Sequence, residues 1–126
     1  MSNTLLTISI TDVALQGTLP ATFGTVDRPL NSIELQMNDL TGTIPSNIGT
    51  IHTTLSYLDL SDNMLSGSVP STLCISVLDT LKISGNSALD CYEDCLSTVS
   101  TQEYGSIPQC SGMNRHINKC VLSLHY

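Results

Sequence analysis

The sequence predicts a mostly β repeat solenoid in which short strands stack one on another. Three observations carry that expectation. An L-x-x-L-x-L spacing recurs about every 25 residues, an asparagine follows it at a fixed distance, and an L-x-G-x-aliphatic-Pro phrase comes after the asparagine. One such unit cannot bury its apolar edge alone, whereas three or more stacked copies share a continuous core.

Leu5, Leu30, Leu55 and Leu78 open successive units, at steps of 25, 25 and 23 residues. Within the units the apolar positions are Leu30, Ile33 and Leu35, then Leu55, Leu58 and Leu60, then Leu78, Leu81 and Ile83. The period-2 part of each phrase predicts a short strand with alternate side chains turned inward. Asn38, Asn63 and Asn86 follow, where a buried amide can satisfy backbone groups of the turn that leaves the strand. Val13 holds this place in the first unit, so that rung is expected to be missing and its turn looser. Leu15-x-Gly17-x-Leu19-Pro20 then repeats as Leu40-x-Gly42-x-Ile44-Pro45 and Leu65-x-Gly67-x-Val69-Pro70. Glycine permits a close or positive-φ backbone there, and proline ends any strand pairing.

The full phrase, L-x-x-L-x-L-x-x-N-x-L-x-G-x-I-P, resembles the plant-type leucine-rich repeat. That class fills the ectodomains of plant receptor-like kinases and the secreted polygalacturonase inhibitors, and similar repeats occur in protist surface proteins. The resemblance runs from residue 5 to about residue 90. It implies an α/β leucine-rich-repeat solenoid, right-handed, curved and mostly β. A parallel sheet would line the concave side, a second short strand would fall at G-x-I-P, and loops or 3-10 turns would form the convex side. It also implies protein or peptide recognition on the concave face, without catalysis by the repeat.

The expected organisation is one domain over residues 1–126, with repeats at about 5–29, 30–54, 55–77 and 78–90 and a C-terminal cap over 91–126. Members of this class usually seal the N-terminal end with a cysteine-bearing cap, and no cysteine precedes the first unit. Its strand is then a bare edge, with Leu5, Leu6, Ile8 and Ile10 available for pairing with a second copy. At the other end, "GSIP" occurs at Gly105 to Pro108 instead of near residue 90, which reads as an insert of about 15 residues containing "CYEDC". A disulfide from Cys110 to Cys91 or Cys95 would close this excursion, worth about 3 kcal/mol for such a loop. Cys74 sits where repeats of this class often place a lone cysteine, and is expected as a buried thiol unless it pairs with the remaining partner. Cys120, in the tail, is expected to be free or intermolecular.

Charged residues make up only 12% of the chain against the usual ~25%, while 15 threonines and 17 serines supply much of the surface. A formal charge of -7 repels phosphate backbones and anionic headgroups, which argues against nucleic acid and membrane surfaces as partners. The N-terminus lacks the basic segment of a signal peptide and there is no glycosylation acceptor, whereas the cysteine density favours an oxidising compartment. An extracellular or secretory-pathway location, as part of a longer precursor, reconciles these signs.

The residues between the leucines write the concave face. One column reads Thr7, Ser32, Tyr57, Thr80; the next Ser9, Glu34, Asp59, Lys82; the next Thr11, Gln36, Ser61, Ser84. Tyr57, with Glu34, Asp59, Asp62 and Lys82, forms the candidate partner site, because an exposed tyrosine among carboxylates suits a basic or polar peptide. No nucleophile with base and acid partners and no phosphate-binding glycine loop is legible, so no enzyme and no cofactor are expected. Cys110, His116, Cys120 and His125 are ligand types that zinc accepts, but their spacing matches no strong zinc signature. Calcium would need six or more converging oxygens, which a flat sheet does not offer. Two further readings are a self-assembling module joined through the first repeat, and an ice-binding solenoid with Thr18, Thr43 and Ser68 as a hydroxyl column.

Overall fold

In a computed structural model that describes residues 6–21, 30–51, 54–75 and 77–110, each leucine phrase becomes a strand. In chain order the strands are β1 (Leu6–Ser9), β2 (Gln16–Thr18), β3 (Leu30–Glu34), β4 (Asp39–Thr43), β5 (Tyr57–Asp59), β6 (Met64–Gly67), β7 (Thr80–Lys82), β8 (Ala88–Leu89) and β9 (Thr101–Glu103). They form two parallel sheets, one in the order β1-β3-β5-β7-β9 and one in the order β2-β4-β6-β8. Neighbouring strands in each sheet are one repeat apart in sequence, the signature of a solenoid.

Alternation places Ile33, Leu58 and Leu81 in one internal layer, in register with one another across β3, β5 and β7. Leu35, Leu60 and Ile83 make a second layer, and all six are at most 3% exposed. Leu40 and Leu65 enter from the second sheet, while Ile44, Val69, Ile48 and Leu73 close the core from the loops beyond it. Fully burying one such side chain is worth about 1.5–3 kcal/mol, so stacking rather than local propensity holds the strands in place.

The asparagine ladder forms as expected. The Asn63 amide donates to the carbonyls of Leu35 at 3.0 Å and Leu60 at 3.2 Å, and its oxygen accepts from the Leu40 N–H at 3.1 Å. Asn86 repeats this one rung on, with Leu60, Ile83 and Leu65. Each asparagine thus ties its own turn to the preceding repeat. At the first unit, where Val13 lacks an amide, Asn38 of the second unit accepts from the N–H groups of both Val13 and Leu15. The first turn is bonded from below even though its own rung is missing.

One left-handed column of the backbone runs through Asp12, Met37, Asp62 and Gly85, with φ of 54°, 57°, 53° and 76°, and the first turn adds Ala14 at 53°. A second left-handed column falls at Gly42 and Gly67, over which the methyl groups of Thr18 and Thr43 lie. A side chain at either glycine would be strained by φ and crowded by that methyl. The second-sheet strands run over L-x-G-x and end just before the aliphatic-proline pair, slightly earlier than G-x-I-P itself.

Short helical turns carry the convex side: α1 (Asn47–Ile51) and 3-10 helices at Ser71–Leu73 and Asp94–Thr98. The Thr72 hydroxyl donates to the Ser46 carbonyl and links two of these crossovers.

The C-terminal region differs from expectation. The phrase Val99-x-x-Gln102-x-Tyr104 forms a fifth repeat strand, β9, which pairs with β7 through Leu81 opposite Gln102 and Lys82 opposite Glu103. "GSIP" therefore lies in the turn after β9, not at the aliphatic-proline position of a displaced fourth unit. After β8, Cys91 is fully buried and its carbonyl accepts from the Val69 N–H. Cys91 is disulfide-bonded to Cys110, and Cys74 to Cys95. Cys74, expected as a buried thiol unless it paired with the cysteine that Cys110 leaves over, takes the second course and is an exposed half-cystine, because its 3-10 turn brings it beside the next crossover. Cys120 lies outside the described residues.

The two ends of the stack contrast. At the C-terminal end Gln102 replaces the core leucine, and its amide donates to the carbonyls of Ser97 and Val99. Tyr104 fills the neighbouring core position, its ring 4.3 Å from that of Tyr92 and its hydroxyl donating to the Leu96 carbonyl at 2.7 Å. At the N-terminal end β1 has a strand on one side only, Leu6 and Ile8 are only partly buried, and Ile10 and Val13 are 41% and 61% exposed. Leu5 lies outside the described residues.

Candidate interaction face

Pairing in the five-stranded sheet sets the side chains of its open face in rows. Thr7, Ser32, Tyr57, Thr80 and Thr101 are successive cross-strand partners. So are Ser9, Glu34, Asp59, Lys82 and Glu103. Strands lie about 4.8 Å apart, so Glu34, Asp59, Lys82 and Glu103 form an unbroken charged row one step along the strands from Tyr57. The sheet brings together four of the five expected partner residues, and Asp62 follows on the left-handed turn beyond β5, exposed.

Their environments are unequal. Tyr57 is half-buried between Ser32 and Thr80, more enclosed than an exposed anchor would be. Asp59 is 4% exposed, because its Oδ1 accepts from both the N–H and the hydroxyl of Ser61, at 3.0 and 2.6 Å. Glu34 Oε1 accepts from the Ser32 hydroxyl at 3.2 Å. Lys82 is not a free cation, since its Nζ lies 3.0 Å from Glu103 Oε1. The hydrogen bond to Glu103 holds the ammonium above the ordinary lysine range, helped by charge interactions with Tyr57, Glu103 and Asp59. Three carboxylates against one ammonium leave the row negative. Glu103 was not among the expected site residues, because the strand that carries it has no leucine; its signal would have been Thr-x-Glu preceding a core aromatic. Beside the row, Gln36 has its Oε1 buried without a hydrogen-bond partner.

The hydroxyl column expected for an ice-binding surface is sheared. Thr18 lies opposite Thr41 and Thr43 opposite Ser66, so Thr18, Thr43 and Ser68 do not face one another across the second sheet. The offset follows from the slant of these strands, which pair 23 residues apart while the sequence repeats every 25. His116, Cys120 and His125 lie outside the described residues. Among the described residues no three His, Cys, Asp or Glu side chains converge as a metal site, and no helix is long and apolar enough to cross a membrane.

A family model for the Leucine Rich Repeat matches residues 54–75, the third unit from just before β5 through the 3-10 turn. The fold is a leucine-rich-repeat solenoid. The crystal structure of PEPR1–AtPEP1 is similar to it with a TM-score of 0.59 and 28% identity over 77% of this chain. The plant peptide hormone receptor RGFR1, solved in complex with RGF2, shares the fold at a TM-score of 0.50 and 22% identity over 74% of this chain. This solenoid spans only 14% and 21% of those two chains. No curated protein sequence matches it. A leucine-rich-repeat solenoid of this kind is not an enzyme fold.

Proposed function

We propose that this solenoid is a protein- or peptide-interaction module whose concave face takes a basic or polar partner. Tyr57 is the anchor, Glu34, Asp59 and Asp62 supply the acceptor charge, and Lys82 acts as a pole whose charge Glu103 already offsets. The observation that carries this reading is the negative row beside Tyr57 on the open face of a parallel sheet. The likeness to PEPR1–AtPEP1 and to RGFR1, a peptide hormone receptor, supports the class of partner, and the two disulfides support an extracellular or secretory location. Calorimetric titration with length-matched lysine-rich, neutral and glutamate-rich peptides at low and high salt tests it. Binding confined to the basic and neutral peptides, with the basic one weakening as salt rises, is expected. Equal binding of the glutamate-rich peptide would remove the charge argument.

The first repeat favours a second reading, self-association. Among the described residues β1 has a neighbouring strand on one side only, with Leu6 and Ile8 on it and Ile10 and Val13 exposed beyond it. Such an edge templates a further strand. The single-chain mass of 13.5 kDa becomes about 27 kDa for a dimer, and light scattering over a concentration range separates the two. A monomer at every concentration would refute edge pairing by the isolated chain.

A further inference from the structure

We propose that the two disulfides have different jobs: Cys91–Cys110 is a permanent plug of the core, and Cys74–Cys95 is a reducible clip that holds two convex crossovers together. Cys91 is fully buried and Cys110 is 7% exposed, and together they form a small buried cluster of their own beyond β8. Cys74 and Cys95 are both exposed. Their bond joins the 3-10 turn at Ser71–Leu73 to the one at Asp94–Thr98.

What the clip holds is narrow. On the sheet sides the third, fourth and fifth repeats are bonded without it, through β5, β7 and β9 and through β6 and β8. The Asn86 rung adds further bonds between the third and fourth turns. Between the two crossovers lies a cavity of about 410 Å³, lined by both half-cystines together with Leu73, Ile75, Leu78 and Val99. Opening the clip frees the walls of this cavity, which Asp79 and Ser100 also line, while the sheets and ladder stay intact.

The chemistry is thiol–disulfide exchange with an external dithiol. A thiolate of the dithiol attacks the sulfur of Cys74 or Cys95, the Cys74–Cys95 bond breaks, and a mixed disulfide forms. The second thiol of the reagent displaces it, leaving two protein thiols and a cyclic oxidised reagent, with two electrons passed to the protein. Access to the sulfur governs the rate, so the exposed pair reacts first.

The test uses the whole chain. Free thiols are blocked, dithiothreitol is raised in steps, new thiols are trapped with a second alkylating reagent, and labelled sites are mapped by mass spectrometry. Cys74 and Cys95 are expected to label at least tenfold earlier in reductant concentration than Cys91 and Cys110. Simultaneous labelling, or earlier labelling of the buried pair, overturns the assignment. On the half-reduced species, hydrogen exchange is expected to quicken at residues 71–79 and 93–100 and to stay slow in β3, β5 and β7. No change at the crossovers means the clip restrains nothing, and acceleration through the strands means it is structural; either result overturns the proposal.

Discussion

Asn63 shows how one side chain carries both local and global order. It meets three carbonyls, of Leu35, Leu60 and Ser61, and the N–H of Leu40, all buried. Asn63→Ala leaves those backbone groups unpaired in the core, and a buried orphan costs about 1–3 kcal/mol. Urea unfolding should therefore show a loss of about 3 kcal/mol. Tyr104 gives a pH signature. Burial, with Tyr92 beside it, pushes its phenol above the ordinary tyrosine range, up to about 12. The folded state then holds this proton more tightly than the unfolded state, so the stabilisation is complete below the unfolded pKa and is lost as pH rises through the folded one. Melting temperature should fall more steeply between about pH 10 and 12 than in Tyr104→Phe. Matching alkaline slopes in the two proteins would show that Tyr104 titrates normally.

At the level of elements, what was legible was what repeats. The leucine spacing placed β3, β5 and β7 in their correct mutual register, so the columns through Tyr57 and Asp59 could be written down before any coordinates. β9 was not legible, because Val99, Gln102 and Tyr104 stand at its three core positions and none of them is leucine. "GSIP" then drew attention as a familiar phrase in an unfamiliar place. Burial of Asp59 was equally hidden, since it depends on the Ser61 hydroxyl two residues on. The convex packing was hidden as well: Gly49 of α1 has no mark in the repeat phrase, yet a Cβ there would collide with the Thr72 carbonyl. Backbone cannot yield as a flexible side chain can, so Gly49→Ala is expected to lower stability by about 1–3 kcal/mol. A thermal melt unchanged by this substitution would show that the two crossovers can separate at little cost.

Among the described residues, the two ends of the stack differ. Gln102, Tyr104 and the Cys91–Cys110 bond finish the C-terminal side with satisfied polar groups and a filled core. On the other side, among the described residues, β1 is paired with β3 alone, and Ile10 and Val13 are exposed. Between them the open face of the five-stranded sheet carries the charged row, and the proposed recognition rests on it because the leucines, asparagines and glycines are spent on stacking. The most direct test is selection of a random peptide display library on the wild-type protein, followed by binding of the enriched peptides to a Tyr57→Ala, Glu34→Gln double variant. Enriched peptides rich in lysine or arginine, with affinity reduced at least tenfold in a variant that unfolds at the same urea concentration, are predicted. Peptides that bind the folded variant as well as the wild type would place recognition away from the concave face.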